Sequence, residues 1–209
     1  MGIVTISATF GAGGSEIGPA VAESLCLPFV DRAIPASVAH KLGVSLDDAE
    51  ANDERVATGL WRVISSMALV PDLSAGPLAY HAVPDERVFR EQTERVLREI
   101  SQGMGGVILG RGGAFVLADV PDALHVRLDG PVEDRCRAHA RFSGEDERTS
   151  RQAVADNDSA RTAYVRHFYR CNPAEARHYH LVIDTTALPH NTVIGLIVTA
   201  ARSRGIGCP

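Results

Sequence analysis

The stretch Ile3-Val4-Thr5-Ile6-Ser7-Ala8-Thr9-Phe10-Gly11-Ala12-Gly13-Gly14-Ser15-Glu16-Ile17-Gly18 decides the fold. A β-branched apolar run, a glycine cluster and an apolar-periodic segment (Ile17, Val21, Leu25) spell strand, loop and helix. A phosphate cradle needs that order: the strand fixes the loop, the glycines turn backbone N–H groups inward, and the helix N-terminus adds a partial positive charge. Against G-x-x-x-x-G-K-[ST], Gly13 matches the second glycine and Ser15 the magnesium-binding hydroxyl. Ala8 stands where the first glycine belongs and Gly14 where the lysine belongs. The chain's single lysine, Lys41, lies well outside the loop, so charge on the phosphates must come mostly from arginine. A glycine-rich turn that binds nothing is the alternative, and the rest of the chain has to decide.

A length of 209 residues suits one domain with a well-buried core and a small insertion acting as a lid or flap. A formal charge of −5 argues against a general nucleic-acid binder, although arginines gather in the second half. Cys26, Cys136, Cys171 and Cys208 have no C-x-x-C spacing, which points to free thiols rather than a zinc site. The N-terminal strand leaves no place for a signal peptide, and no apolar run is long enough to cross a membrane. The expectation is a cytoplasmic protein that binds neither nucleic acid nor membrane.

Beyond the first helix, Leu27 to Asp31 reads as a short strand ending in an acid, and Ala33 to Leu42 as a helix stopped by Gly43. Residues 44–85 combine an acidic stretch, an apolar helix-like segment around Trp61 to Leu69 and a Pro/Gly-rich loop from Pro71 to Pro84. An inserted substrate-binding element belongs there. Glu86 to Ile100 has helical spacing; Gly106 to Leu109 is a strand ending in Gly110-Arg111-Gly112-Gly113; Ala123 to Leu128 is another. Asp129-Gly130-Pro131 opens a helix running through Arg141, a charged helical segment fills Asp146 to Arg170, Leu181 to Asp184 is the last strand, and Thr192 to Arg202 closes as a helix. Strands alternating with helices predict a mostly parallel sheet covered on both faces, with ligands at the strand C-terminal ends. The glycine loop, Asp31, Arg111, Asp129 and Asp184 fall at such ends.

With these residues placed, the chain resembles the cytidylate kinase-like family, P-loop relatives of the nucleoside monophosphate kinases. Gly11-Ala12-Gly13-Gly14-Ser15-Glu16-Ile17-Gly18 is similar to that family's lysine-free G-x-G-G-x-E-I loop, followed by Pro28-Phe29-Val30-Asp31. Val107-Ile108-Leu109-Gly110-Arg111 with Val120-Pro121-Asp122-Ala123 is similar to a G-R-D segment followed by P-D-A. Pro131 to Arg137 joined to Asp158-Ser159-Ala160-Arg161-Thr162-Ala163-Tyr164 resembles the lid with its D-x-x-R, and Tyr179 to Thr186 the closing Y-D-L-x-I-D-T strand. Two departures stand out: Gly112 replaces the aspartate that helps read cytosine, and Leu109 an aspartate linked to magnesium. Losing one charge-assisted donor to a transition-state oxyanion costs ~3–4 kcal/mol unless another cation takes its place.

The resemblance implies a three-layer αβα P-loop kinase fold with a mostly parallel central sheet and a helical lid. It implies one domain over 1–209, with an acceptor-binding insertion at about 44–85 and a lid at about 135–170. Its activity would be ATP- and Mg2+-dependent transfer of the γ-phosphoryl group to a nucleoside monophosphate or similar small acceptor. A nucleotide-binding module with little catalysis, or a kinase of a non-nucleotide small molecule, are the alternatives; a homodimer is left open. Gly11, Ala12, Gly13, Gly14 and Ser15 would hold the donor phosphates, with Ser15 on magnesium or, alternatively, a plain helix cap. Arg111, Arg135, Arg137 and Arg161 would be catalytic, with Arg141, Arg148 and Arg151 elsewhere on the lid. Asp31, Arg111, Asp158 and Arg161 would meet the acceptor; an ordinary salt bridge for Arg111, a helix cap for Asp31 and an i,i+3 ion pair for Asp158 and Arg161 are the alternatives. Asp184-Thr185-Thr186 is an adenine-side contact or a simple turn, and His167, His178, His180 and Cys171 fit no metal spacing.

Overall fold

The computed structural model describes residues 2–31, 94–95, 97–110 and 112–208. The expected helices at Ala33–Leu42 and Trp61–Leu69, the 44–85 insertion, most of Glu86 to Val96, and Arg111 lie outside the described residues; Asp31 is described by its backbone.

Among the described residues five strands form one sheet: β1 (Ile3–Ala8), β2 (Phe29–Asp31), β3 (Gly106–Leu109), β4 (Ala123–Asp129) and β5 (Leu181–Asp184). Their order is β2-β3-β1-β4-β5, and every pairing is parallel. β1 is central, with Ile3 to Ile6 against Gly106 to Leu109 on one side and Ile3 to Ala8 against Ala123 to Leu128 on the other. The helices are α1 (Gly14–Leu25), α2 (Gly113–Val116), α3 (Val132–Ser143), α4 (Glu147–Tyr169) and α5 (His190–Ser203), with a helical stretch at 97–102 before β3.

Alternation along β1 assigns the two faces. Val4 and Ile6 join Val107, Leu109, Leu124 and Val126 in a core closed by Ile17, Val21 and Leu25 of α1 and Val193 and Ile197 of α5. Ile3 faces the other way, with Ile108, Leu97, Val116, Leu117 and Ala123. On that second face a polar ladder replaces hydrocarbon toward the strand C-terminal ends: Thr5 is level with His125 and Ser7 with Arg127. Thr5 and the His125 Nδ1 are hydrogen-bonded at 2.8 Å, and both residues are buried.

The predicted element boundaries shift where caps dictate. Pro131 precedes α3, Gly144 in the left-handed region (φ 73°) ends it, and the Asp146 carboxylate accepts from the Thr149 N–H to start α4. One expectation is corrected: Cys26 and Cys208 are disulfide-bonded, with Cα atoms 5.8 Å apart across 182 residues of sequence, while Cys136 and Cys171 are free. No spacing rule links two cysteines so far apart. They meet because Cys26 caps α1 and the tail after α5 returns beside it, with the Cys208 N–H donating to the Leu25 carbonyl at 3.0 Å.

Candidate active site

The loop between β1 and α1 opens on a cavity of about 620 Å³ lined by Gly11, Gly13, Gly14, Ser15, Thr9 and Asp129, with walls from α3, α4 and the segment before β5. Gly11 (φ 80°) and Gly13 (φ 70°) are both left-handed, and added Cβ atoms would lie 2.6 Å from the Arg135 carbonyl oxygen and 2.8 Å from the His190 ring. Glycine is therefore required by conformation and by close approach. The Gly13 carbonyl accepts from the Glu16 and Ile17 N–H groups, while those of Gly11, Gly13, Gly14 and Ser15 have no partner among the described residues. Unpartnered amides at the start of a 12-residue helix are an anion cradle. Ala12 differs from its neighbours: it is buried, and its carbonyl accepts from the Thr185 hydroxyl at 3.0 Å.

The lid residues reach this loop directly. Arg135, buried, donates from Nη1 to the Phe10 carbonyl (2.6 Å) and to Asp158 Oδ2 (2.7 Å), and from Nε to the Gly130 carbonyl (2.9 Å). The other Asp158 oxygen accepts the Phe10 N–H at 2.7 Å. Arg161 donates to the Ala8 carbonyl and sits 5.6 Å from the Phe10 ring centroid. Arg135, Asp158 and Arg161 thus converge on the loop, all three on the cavity lining. Arg137 and Arg151 are turned outward and paired with Asp134 and Glu133, with no place on that lining.

The floor is the polar ladder. Asp129 accepts from the Thr9 hydroxyl (3.1 Å), the Gly130 N–H (3.0 Å) and Arg127 Nε (2.9 Å), and Arg127 also donates to the Pro173 carbonyl at 2.8 Å beside the Tyr179 ring. Residues 125, 127 and 129 share a strand face, so a period-two reading of polar residues in β4 would have found Arg127. Asp184, beyond the rim, closes a turn by accepting from Thr186 Oγ1 (2.6 Å) and N (2.9 Å), which holds its carboxyl below the usual range. Of the Asp-Thr-Thr run it is Thr185 that reaches the loop.

Sequence reading missed two imidazoles. His139 of α3 packs against Phe10 with ring centroids 4.8 Å apart and planes tilted by 45°, and His190 opens α5 with Nδ1 3.4 Å from Glu16. A histidine directly after a helix-opening proline was the signal for the second.

Ser15 is exposed at the cavity, and its hydroxyl has no hydrogen-bond partner among the described residues. That suits magnesium, which binds through few protein oxygens plus phosphate oxygens and water. Among the described residues no three His, Cys, Asp or Glu side chains cluster as metal ligands, and no helix is long and apolar enough to cross a membrane.

Residues 3–187 match the model of the cytidylate kinase-like family. A cytidylate kinase from Aeropyrum pernix is 27% identical over 144 residues, covering 69% of this chain and 83% of that protein. A Corynebacterium glutamicum protein named uronate isomerase is 30% identical over 125 residues, 59% of this chain; the match spans 24% of its length, about a quarter of that longer protein. The crystal structure of an uncharacterised Eubacterium ventriosum protein superposes with a TM-score of 0.66 at 19% identity, covering 97% of this chain and 98% of the other.

Proposed function

Because the chain belongs to the cytidylate kinase-like family, we propose that it is an ATP- and Mg2+-dependent phosphotransferase whose acceptor is a nucleoside monophosphate or similar small molecule. The observation that carries this reading is the row of N–H groups at Gly11, Gly13, Gly14 and Ser15 that have no partner among the described residues, opening on a cavity that two lid arginines also line. Phosphoryl transfer asks the protein for alignment and charge rather than covalent chemistry.

In this reading the loop amides hold the β- and γ-phosphates, and Ser15 holds magnesium, which when bound neutralises charge on the phosphate oxygens. Arg135 and Asp158 fix the loop by gripping Phe10, so the amides are set before any ligand arrives. Arg161 is the lid arginine beside the transferred group, and Arg111 and Asp31 belong to the acceptor side. The α3–α4 lid excludes water from the transfer. A cytoplasmic location fits ATP use. Isomerisation of a uronate is no part of this reading, since the match covers a minor part of that longer protein.

Gly112 favours a second reading of the acceptor. Its φ is 65°, and an added Cβ would run into the Tyr169 ring, so the aromatic side chain fills the room an aspartate would need. An acceptor other than cytidylate, including a small-molecule hydroxyl, is consistent with that packing. A coupled assay of nucleoside monophosphates and small alcohols with ATP and Mg2+ tests both readings. Acceptor-dependent ADP release is expected; ATP binding without turnover on any acceptor would leave a nucleotide-binding module.

A further inference from the structure

The loop lacks its lysine, and the described arginines on the cavity are already bound to protein. Arg135 is held by Phe10, Gly130 and Asp158, Arg127 by Asp129 and Pro173, and Arg161 by Ala8 and the Phe10 ring. His190 differs. Its ring rests on the loop, so close that a Cβ on Gly13 would lie 2.8 Å from both Cε1 and Nε2. Its other nitrogen, Nδ1, lies 3.4 Å from Glu16 Oε2, in the first turn of α1. Nε2 has no partner among the described residues, and both His190 and Glu16 line the cavity.

Glu16 is awkward in an anion site, because it brings a negative charge beside the unpartnered amides of Gly14 and Ser15. Only the imidazolium donates from both nitrogens, and in that form Nδ1 faces the Glu16 carboxylate while Nε2 is left for a ligand. Building on the phosphate-site reading above, we infer that His190, fastened by Glu16, is the cationic phosphate-binding residue of this loop and donates from Nε2 to the pyrophosphate of a nucleoside di- or triphosphate. It takes over the work of the absent lysine from a different element, the first residue of α5. Glu16 neutralises its own charge against the ring and sets the direction in which Nε2 points.

The test is calorimetric titration of ADP with Mg2+ into the full chain and into His190→Ala and His190→Lys, with the His190 ring followed by NMR during titration of inorganic pyrophosphate. His190→Ala is expected to weaken ADP about tenfold, His190→Lys to restore most of the affinity, and pyrophosphate to shift the ring signals of His190. The ring is 40% exposed, so both variants should fold, which unfolding curves would verify. An ADP affinity unchanged in His190→Ala overturns the inference and leaves the loop's reading standing. A loss that His190→Lys does not rescue, or ring signals unmoved by pyrophosphate, also overturns it by making His190 structural. A wild-type chain that binds no ADP overturns the phosphate-site reading and this inference together.

Discussion

Arg135 and Asp158 meet at 2.7 Å beneath the glycine loop and hold Phe10 between them, the arginine on its carbonyl and the carboxylate on its N–H. One ion pair from two lid helices thereby fixes both backbone polar groups of a residue on β1's exit. The Arg135 side chain is 4% exposed and the Asp158 side chain 25%. Removing one partner leaves the other uncompensated.

Asp158→Ala is therefore expected to cost about 3–5 kcal/mol, since Arg135 is left buried without its carboxylate. Denaturant unfolding of Asp158→Ala, Arg135→Met and the double variant checks this. The double variant should lose less than the sum of the singles. Simple additivity would mean the two residues act independently.

Arg137→Ala and Arg151→Ala should be nearly silent. Their pairs with Asp134 and Glu133 lie at the surface, where solvent screening leaves such pairs contributing little. Neither residue lines the cavity, so turnover and ADP affinity should match wild type. A strong loss of turnover in Arg137→Ala would return that residue to the catalytic set.

Stability should climb with pH between about 4 and 6.5. Burial, with His180 and Arg204 nearby, pushes the His125 imidazole from 6.5 down to about 4, outweighing the hydrogen bond it makes to the Leu117 backbone. In that window the unfolded chain takes up a proton and the native one does not, so acid favours unfolding. Full stability is present above the unfolded value and drains away as pH falls toward the folded one, by up to about 3 kcal/mol. Urea midpoints against pH would show the slope, and His125→Gln should flatten much of it.

Gly112→Asp, which restores the aspartate found in cytidylate kinases, should destabilise by about 2–4 kcal/mol. A left-handed backbone at φ 65° and the Tyr169 ring both oppose it. Tyr169→Ala should relieve the ring clash and recover part of the loss, read from thermal unfolding of the single and double variants. Equal stability of Gly112→Asp and wild type would show that the ring moves aside freely.

The β-branched runs and the glycine cluster made all five strands, their parallel character and the loop readable in advance, because strand and loop chemistry is local. Caps moved the helix ends by a residue or two without changing the architecture. The site was less legible. The sequence places Arg135 and Asp158 at the site, and both line the cavity, but it does not show that they also bind the loop's own backbone, since which side chain a buried arginine meets depends on packing across 23 residues of sequence. Pro189-His190 marks a helix start, but the place of that ring on the loop is not legible, because its neighbour Gly13 lies near the other end of the chain and is joined to it only through the folded sheet.

The bond between Cys26 and Cys208 closes residues 26–208 into a covalent ring. A single backbone cut anywhere inside that ring cannot separate the pieces. A nicked molecule would run as one full-mass species on a denaturing gel without reductant and fall into two fragments once thiol is added. The glycine loop and the His190 helix would stay tethered through such a cut, so proteolytic mapping of this protein has to be read with and without reducing agent.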